Sequence, residues 1–329
     1  MRARTIGRIG REVSEIGFGA WQIGADWGNV DEDDALATLH AAADVGVTFF
    51  DTADVYGDGR SERLVGRLAR ERREGGAPIM VATKMGRRAT QTVANYSPEN
   101  FRAWNDRSRE NLGVDTLELV QLHCPPTDLY FRPGVFEDLE AMVEEGRIAA
   151  YGVSVERVEE GLKALEYPNV ATVQIIFNAF RQRPAALFLR EAARRGVGVI
   201  ARVPLASGLL SGRYTRETSF PPDDHRTFNR HGESFDVGET FAGVPFEVGL
   251  EAVEELRELV PDGGTPAQFA LRWILMHDGV STVIPGARSP DQARANAAAA
   301  ELPPLDEATM TRVAEIYDRR VAPHVHQRW

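Results

Sequence analysis

The 329-residue sequence predicts an α/β fold, and within that class a single (β/α)8 barrel (TIM barrel) that covers residues 1–329. Eight short apolar runs alternate along the chain with longer stretches of helical periodicity, which is typical of this fold. No linker rich in Pro, Gly or Ser and no internal repeat divides the chain. A doubly wound dinucleotide-binding sheet would need a glycine fingerprint, and Gln22 stands where its third glycine belongs.

The eight strand–helix units follow a β-hairpin, which we predict around residues 5–16. The first strand is predicted to end near Gly19, and the others to cover 47–50, 79–83, 117–122, 149–153, 172–177, 197–202 and 282–284. The helices are predicted over 32–45, 61–73, 98–112, 135–145, 156–166, 185–195, 247–259, 266–277, 290–299 and 306–317. Asp31 and Ser97 are the predicted N-caps of the first and third helices. The last helix is additional to the eight units, and a polar tail is expected after Tyr317.

Residues 211–245, after the seventh predicted strand, are too numerous for a simple connection. They are a candidate substrate loop or lid, and the alternative is a disordered surface insertion. Phe220, Phe228, Phe235 and Phe241 are distributed along the segment and favour ordered contact with the rest of the protein.

Charge and composition restrict the classes of function. Lys and Arg total 38 against 49 Asp and Glu, so the formal net charge of −11 argues against a nucleic-acid or anionic-membrane partner. The single cysteine, Cys124, excludes an intramolecular disulfide and fits a reducing cytoplasm, where we expect the protein to be located. No apolar run is long enough to span a bilayer. A homo-oligomer is compatible with the sequence but has no support in it.

Polar residues follow four of the predicted strands directly, and the carboxyl ends of barrel strands all meet at one mouth. Asp51, Lys84, His123 and Ser154 each stand where an apolar run stops, and Tyr56 follows in the turn after Asp51. Taken singly, each residue is better explained by a structural role, as a turn residue, a packed aromatic or a core side chain, than by a catalytic one. Their joint occurrence at one mouth indicates a candidate catalytic site.

These residue types suit proton transfer to an oxygen atom. A phenol is a weak proton donor near neutral pH, because its ordinary pKa is about 10. An ammonium such as Lys84 beside Tyr56 favours the phenolate, and Asp51 keeps that ammonium charged and oriented. His123 can donate a hydrogen bond to a carbonyl oxygen at the same point. Tyr56 could therefore protonate an oxygen that becomes negative as a hydride reaches its carbon.

The sequence resembles the aldo-keto reductase family in the segments Phe50–Gly57 with Ser61–Gly66, Ala82–Lys84 and Leu119–His123. The resemblance extends from about Ile16 to Ala300. It implies a catalytic tetrad of Asp51, Tyr56, Lys84 and His123, with Tyr56 as the general acid.

The resemblance also implies that NADP(H) binds in an extended form across the barrel mouth, with NAD(H) less favoured. The implied contact residues are Ser154, Gln174, Arg202, Pro204, Leu205, Ala206, Ser207, Gly208, Leu210, Ile284, Gly286, Ala287, Arg288, Gln292 and Asn296. Arg202 falls where many members stack an aromatic ring on the nicotinamide, and Val155 replaces the family's usual asparagine. Arg288 is our candidate for the ribose 2′-phosphate, because a guanidinium binds phosphate well, although it could be an ordinary surface arginine.

The implied activity is NADPH-dependent reduction of an aldehyde or ketone, with alcohol oxidation as the reverse reaction. Trp21, Tyr56 and His123 are predicted to line the pocket of the small-molecule carbonyl substrate. Trp104 is a further candidate, and core packing would account for either tryptophan. No metal site is expected, because no other ligands cluster with His324 and His326 in the sequence.

Two other functions stay open at this point. One is a cofactor-binding regulatory subunit whose catalysis is vestigial. The other is a barrel enzyme that uses Lys84 for Schiff-base chemistry. The substrate is also open among sugars, keto intermediates and xenobiotic carbonyls.

Overall fold

The computed structural model describes residues 1–24 and 30–329 and contains the predicted barrel. An antiparallel hairpin of β1 (Ala3–Thr5) and β2 (Glu12–Ser14) comes first. The eight barrel strands are β3 (Phe18–Gly19), β4 (Phe49–Asp51), β5 (Met80–Met85), β6 (Leu119–His123), β7 (Tyr151–Ser154), β8 (Val170–Ile176), β9 (Gly198–Arg202) and β10 (Thr282–Val283). The predicted fold class is therefore confirmed.

The barrel strands pair in parallel in the order of the sequence, from β3 to β10. Backbone hydrogen bonds close the seam between the first and last of them. The N–H of Gly17 donates to the carbonyl of Val283 at 2.8 Å, and the N–H of Gly19 donates to the carbonyl of Pro285 at 3.0 Å. The carboxyl ends of all eight strands thus lie on the same side.

The hairpin covers the opposite end of the barrel. Ile6 and Val13 are buried there and cluster with Phe49, Met80 and Leu119, which begin three successive barrel strands. Apolar packing therefore fills the amino-terminal end, and polar chemistry is left to the carboxyl end.

The helices in the described residues are α1 (Glu32–Asp44), α2 (Arg60–Glu74), α3 (Pro98–Leu112), α4 (Pro133–Glu144), α5 (Val158–Ala164), α6 (Arg183–Ala186), α7 (Phe188–Arg194), α8 (His225–Phe228), α9 (Phe246–Arg257), α10 (Pro266–Leu275), α11 (Pro290–Ala298), α12 (Glu307–Ile316) and α13 (Ala322–Val325). As predicted, Asp31 caps α1 by accepting the N–H of Asp33 at 2.9 Å, and Ser97 caps α3 by accepting that of Asn100 at 3.4 Å. None of the helices in this part of the chain is long and apolar enough to cross a membrane.

Most predicted helices differ from the observed ones by one or two residues at an end, and two of the differences have a local cause. The helix predicted over 185–195 is divided into α6 and α7, because Leu187 leaves the helical conformation with φ −137° and ψ −47°. Helix α5 begins later than predicted, at Val158. The Glu160 carboxylate accepts the backbone N–H groups of Glu156 and Arg157, both at 3.0 Å, and so holds them in a turn before the helix.

The extra C-terminal helix is present as α12, and the segment after Tyr317 has the predicted polar surface but also an apolar face that was not predicted. The chain continues through a wide helical turn, Tyr317–Val321, into α13. Tyr317, Val321 and Val325 recur every four residues, and all three are buried. Trp329, beyond them, is only 4% exposed.

The segment 211–245 is ordered and packs against the barrel, so the prediction of ordered contact is confirmed and the disordered insertion is excluded, while a role as a substrate loop or lid stays a prediction. The ring of Tyr214 meets that of Phe220 edge-on at 5.2 Å, and Phe220 lies 5.8 Å from Phe241. Phe235 reaches Trp21, with the ring centroids 6.0 Å apart. Aromatic contacts thus hold the segment over the carboxyl end of the barrel.

Candidate active site

A cavity of about 710 Å³ opens at the carboxyl ends of the strands. Its wall includes the predicted site residues Trp21, Asp51, Tyr56, His123, Ser154, Gln174, Arg202, Pro204, Leu205, Ser207, Gly208, Ile284, Gly286, Arg288, Gln292 and Asn296. Lys84 is buried rather than part of the wall, as are Ala206, Leu210 and Ala287. One cavity therefore brings most of the predicted catalytic and cofactor-binding residues together.

The Lys84 ammonium is the centre of a buried polar group at the bottom of this cavity. Its Nζ donates hydrogen bonds to the Asp51 carboxylate, to the carbonyl of Thr52 at 2.9 Å and to the Tyr56 hydroxyl at 3.4 Å. Neighbouring parallel strands make this meeting geometrically simple, since β4 ends at Asp51 and β5 carries Lys84 close to its own end. Three of the four predicted tetrad residues are thus in direct contact.

Burial and charge act in opposite directions on these two ionisable groups. Burial alone would lower the pKa of Lys84, but the Asp51 carboxylate and Tyr56 together hold that pKa above its ordinary value. Burial raises the pKa of Tyr56 and outweighs the ammonium of Lys84, which favours the phenolate as expected. Lys84 is therefore charged at neutral pH, and the Tyr56 phenol keeps its proton.

His123, at the end of β6, presents a neutral imidazole next to the phenol. The rings of Tyr56 and His123 meet edge-on with centroids 5.8 Å apart. Burial, with the positive charges of Arg87 and Lys84, holds the pKa of His123 well below its ordinary value. A neutral imidazole carries one N–H, so it can donate a single hydrogen bond to an oxygen in the cavity.

Two glutamine side chains hold the second carboxylate oxygen of Asp51. Gln174 donates to Asp51 Oδ2 at 2.8 Å and Gln121 donates to it at 3.2 Å. Sequence reasoning missed Gln121. The available signal was a polar residue inside an apolar strand, two positions before His123 and hence on the same face of β6.

The turn that carries Tyr56 depends on close backbone packing. Gly57 has φ +57°, and a Cβ there would lie 1.8 Å from the carbonyl oxygen of Gly24. The ring of Trp21 stacks on that of Tyr56 at 6.0 Å, so Trp21 lines the cavity as predicted. Trp104 belongs instead to the hydrophobic core, where its ring lies 6.1 Å from that of Phe101.

Arg202 belongs to an ion-pair cluster that also contains Arg87, Glu156 and Glu239. Its guanidinium bonds to the Glu156 carboxylate at 2.8 Å and lies 3.7 Å from that of Glu239. Arg87 bonds to Glu239 at 2.8 Å. The other three members of this cluster were missed, because they come from three separate loops without a sequence motif. The stacking of Arg202 on a nicotinamide stays a prediction.

The curled loop after β9 approaches the cavity with an unusual backbone. Val203, Ala206 and Ser207 have positive φ values of 50°, 48° and 55°, which non-glycine residues adopt rarely. The Ser207 hydroxyl fixes the segment 211–245 to this loop. It donates to the carbonyl of Glu239 at 3.0 Å and accepts the N–H of Phe241 at 3.1 Å.

The far end of the cavity is formed by the start of α11 and the loop before it. Gln292 accepts the backbone N–H of Arg288 at 2.8 Å, and Asn296 donates to the carbonyl of Gly286 at 3.1 Å. Arg213, which sequence reasoning missed, also lines this cavity. Within the described ranges neither Arg213 nor Arg288 forms an ion pair.

Cys124, Glu156 and Glu239 bring potential metal ligands within 4.8 Å of one another. The two carboxylates already pair with Arg87 and Arg202. Burial raises the pKa of the Cys124 thiol to about 12, so the thiolate that binds metals is not populated at neutral pH. These groups fit an ion-pair cluster better than a metal site.

Comparison with known proteins gives consistent results. The model of the aldo/keto reductase family matches residues 15–318. The aldo-keto reductase YhdN of Bacillus subtilis is 30% identical over 90% of this chain and 87% of its own. A probable voltage-gated potassium channel subunit beta of Arabidopsis thaliana is 26% identical, with 93% of each chain covered. The structure of the glycerol dehydrogenase AKR11B4 from Gluconobacter oxydans superimposes with a TM-score of 0.76 at 29% identity, covering 97% of this chain and 96% of that one. With this fold, this cavity and a match over almost its whole length, the chain belongs to the aldo/keto reductase family of oxidoreductases.

Proposed function

We propose that this protein reduces the carbonyl group of a small aldehyde or ketone with NADPH, and oxidises the corresponding alcohol in the reverse direction. The observation that carries the proposal is the Tyr56 hydroxyl in the cavity wall, 3.4 Å from the buried ammonium of Lys84. A protonated phenol and a neutral imidazole side by side are suited to an oxygen that gains negative charge.

The cavity residues fit a nicotinamide dinucleotide that carries an extra phosphate. The loop 203–212 lies at the cavity and has positive φ values at Val203, Ala206 and Ser207, and a backbone of this kind can present N–H groups to phosphate oxygens. Arg213 and Arg288, without ion-pair partners among the described residues, favour a ribose 2′-phosphate and hence NADP(H) over NAD(H). Ser154 and Gln174 line the cavity beside Asp51 and would hold the carboxamide.

When bound, the dihydronicotinamide supplies the hydride that reduces the carbonyl carbon. His123 donates a hydrogen bond to the carbonyl oxygen and orients it. Tyr56 donates its proton to that oxygen as negative charge develops, and Lys84 stabilises the phenolate that remains. Asp51, held by its two glutamines, keeps Lys84 charged and in place.

The test is Tyr56→Phe, which removes the phenolic O–H and little else. We expect kcat for carbonyl reduction to fall by about 100-fold or more, the usual contribution of a general acid, while NADPH still binds. NADPH oxidation measured at 340 nm with a panel of aldehydes and ketones gives the rates, and quenching of protein fluorescence gives the affinity.

Tyr151→Phe is the matched control, because it deletes a phenol that bonds to Glu140 at 3.1 Å, away from the cavity lining. That variant should turn over normally. Near-normal reductase activity in Tyr56→Phe would refute the proposed role of the phenol.

The two alternatives predict different results. A regulatory subunit with vestigial catalysis would oxidise bound NADPH slowly, even in a single turnover with a reactive aldehyde. A Schiff-base enzyme would form a borohydride-trappable adduct at Lys84. The buried contacts with Asp51 and Tyr56 hold the pKa of Lys84 above its ordinary value, which disfavours the neutral amine that such chemistry needs.

A further inference from the structure

The indole of Trp329 fills a narrow slot between the barrel and the segment 211–245. Its Nε1 donates to Asp236 Oδ1 at 2.9 Å, and its ring lies 4.1 Å from the guanidinium carbon of Arg181. Two glycines leave room for the ring. A Cβ on Gly243 would come within 2.5 Å of it, and a Cβ on Gly238 within 3.0 Å. Trp329 is thus in contact with both ends of the stretch 236–243.

Arg181 gives the barrel side of the slot its charge. It is 4% exposed, and no ion pair involves it in the part of the chain that the structure describes. Burial lowers the pKa of Arg181 to about 9. The face of an aromatic ring partly compensates a buried guanidinium, so Trp329 stabilises Arg181 as well as the loop.

The stretch 236–243 carries one side chain into the cavity wall, that of Glu239. Glu239 follows Gly238 directly, and its carboxylate bonds to Arg87 and lies beside Arg202. Trp329 therefore contacts the stretch on both sides of Glu239 from outside the cavity lining, and the Ser207 hydroxyl holds its middle.

We propose that Trp329 is a positioning residue: it fastens the stretch 236–243 and thereby places Glu239 in the wall against which the carbonyl substrate packs. Without the indole the stretch 236–243 leaves its place more often. The substrate then binds more weakly, because the fraction of molecules with a complete cavity wall is smaller. The effect on substrate affinity rests on the proposed function, whereas the fastening of the loop does not.

Trp329→Ala and Trp329→Phe in the full chain test the proposal. Trypsin is the first probe, because the segment offers it Arg213, Arg216, Arg226 and Arg230. We expect cleavage in 213–230 to be about tenfold faster in Trp329→Ala, which matches the loss of about 1.4 kcal/mol from one hydrogen bond to a carboxylate and one cation–π contact. Trp329→Phe retains a ring against Arg181, so we expect an increase of only about threefold.

Kinetics with NADPH and glyceraldehyde are the second probe. For Trp329→Ala we expect KM for glyceraldehyde to rise about tenfold, with kcat and the NADPH Kd within about threefold of the wild-type values. Phe131→Ala is the control, because that side chain is 62% exposed and is not in the cavity wall. It should match the wild type in both probes.

Wild-type cleavage of the loop in Trp329→Ala would overturn the proposal. Faster cleavage spread evenly over the chain would also overturn it, because it would indicate general destabilisation. Identical behaviour of the Ala and Phe variants would do the same, because it would indicate no role for the ring. Failure of the wild type to reduce any carbonyl would refute the proposed function instead, and the trypsin result would still decide whether Trp329 fastens the loop.

Discussion

Asp54 should destabilise the folded protein at neutral pH, and Asp54→Asn should relieve the effect. The side chain is fully buried, and neither carboxylate oxygen has a hydrogen-bond partner among the described residues. Burial, followed by the negative charge of Glu62, raises the pKa of Asp54 from 3.8 to about 7.

The direction in which Asp54 changes the free energy of unfolding with pH follows from the number of protons bound in the folded and unfolded states. Below pH 3.8 Asp54 is protonated in both states and does not lower the free energy of unfolding. Between pH 3.8 and about 7 the unfolded chain releases its proton while the folded protein retains it, so stability falls as the pH rises. Above pH 7 the loss in free energy of unfolding levels off at about 4 kcal/mol. This figure is the difference between pKa 3.8 and about 7, taken at about 1.4 kcal/mol per pKa unit.

The assay is urea unfolding of the wild type and Asp54→Asn at pH 5, 6, 7 and 8. We expect the variant's advantage in free energy of unfolding to grow with pH toward a few kcal/mol and then level off above pH 7. Asp58→Asn is the control, because Asp58 is exposed and paired with Arg88 and Arg107. It should show no gain that increases with pH. An advantage of Asp54→Asn that is the same at pH 5 and pH 8 would refute the assigned pKa.

Lys84→Arg should remain folded, as judged by circular dichroism, yet lose about 100-fold or more in kcat, because the buried site holds a compact ammonium between Asp51 and Tyr56. Activity close to that of the wild type would contradict this requirement. Replacing Arg288 or Arg213 with Ala should weaken NADPH binding about tenfold and leave NADH binding unchanged, as measured by fluorescence titration. Equal losses for both cofactors would exclude a 2′-phosphate contact.

The catalytic half of the site could be predicted because it depends on strand ends. A polar residue that terminates an apolar strand has a defined place in a barrel, so Asp51, Lys84 and His123 could be brought together from the sequence. The ion-pair cluster around Arg202 could not be predicted in this way. Arg87 and Glu239 are 152 residues apart in two loops, and neither periodicity nor a motif links them.

At the end of the chain, charged residues in the sequence obscured an apolar helical face. Arg319 and Arg320 suggest a solvated tail, and both indeed pair with Glu255 on the surface. The burial of Tyr317 and Val321, four residues apart, reveals the helical face that continues inward. The charged face and the apolar face belong to the same helical segment, and the apolar face cannot be recognised from composition alone.

The two lysines of this chain differ completely in accessibility, which has a practical use. Lys84 is 1% exposed, whereas Lys163, on α5, is partly exposed and paired with Glu166 on the outer surface. Among the side-chain amines, a reagent such as an N-hydroxysuccinimide ester therefore has one target. The protein could be immobilised or labelled through Lys163 without blocking the barrel mouth.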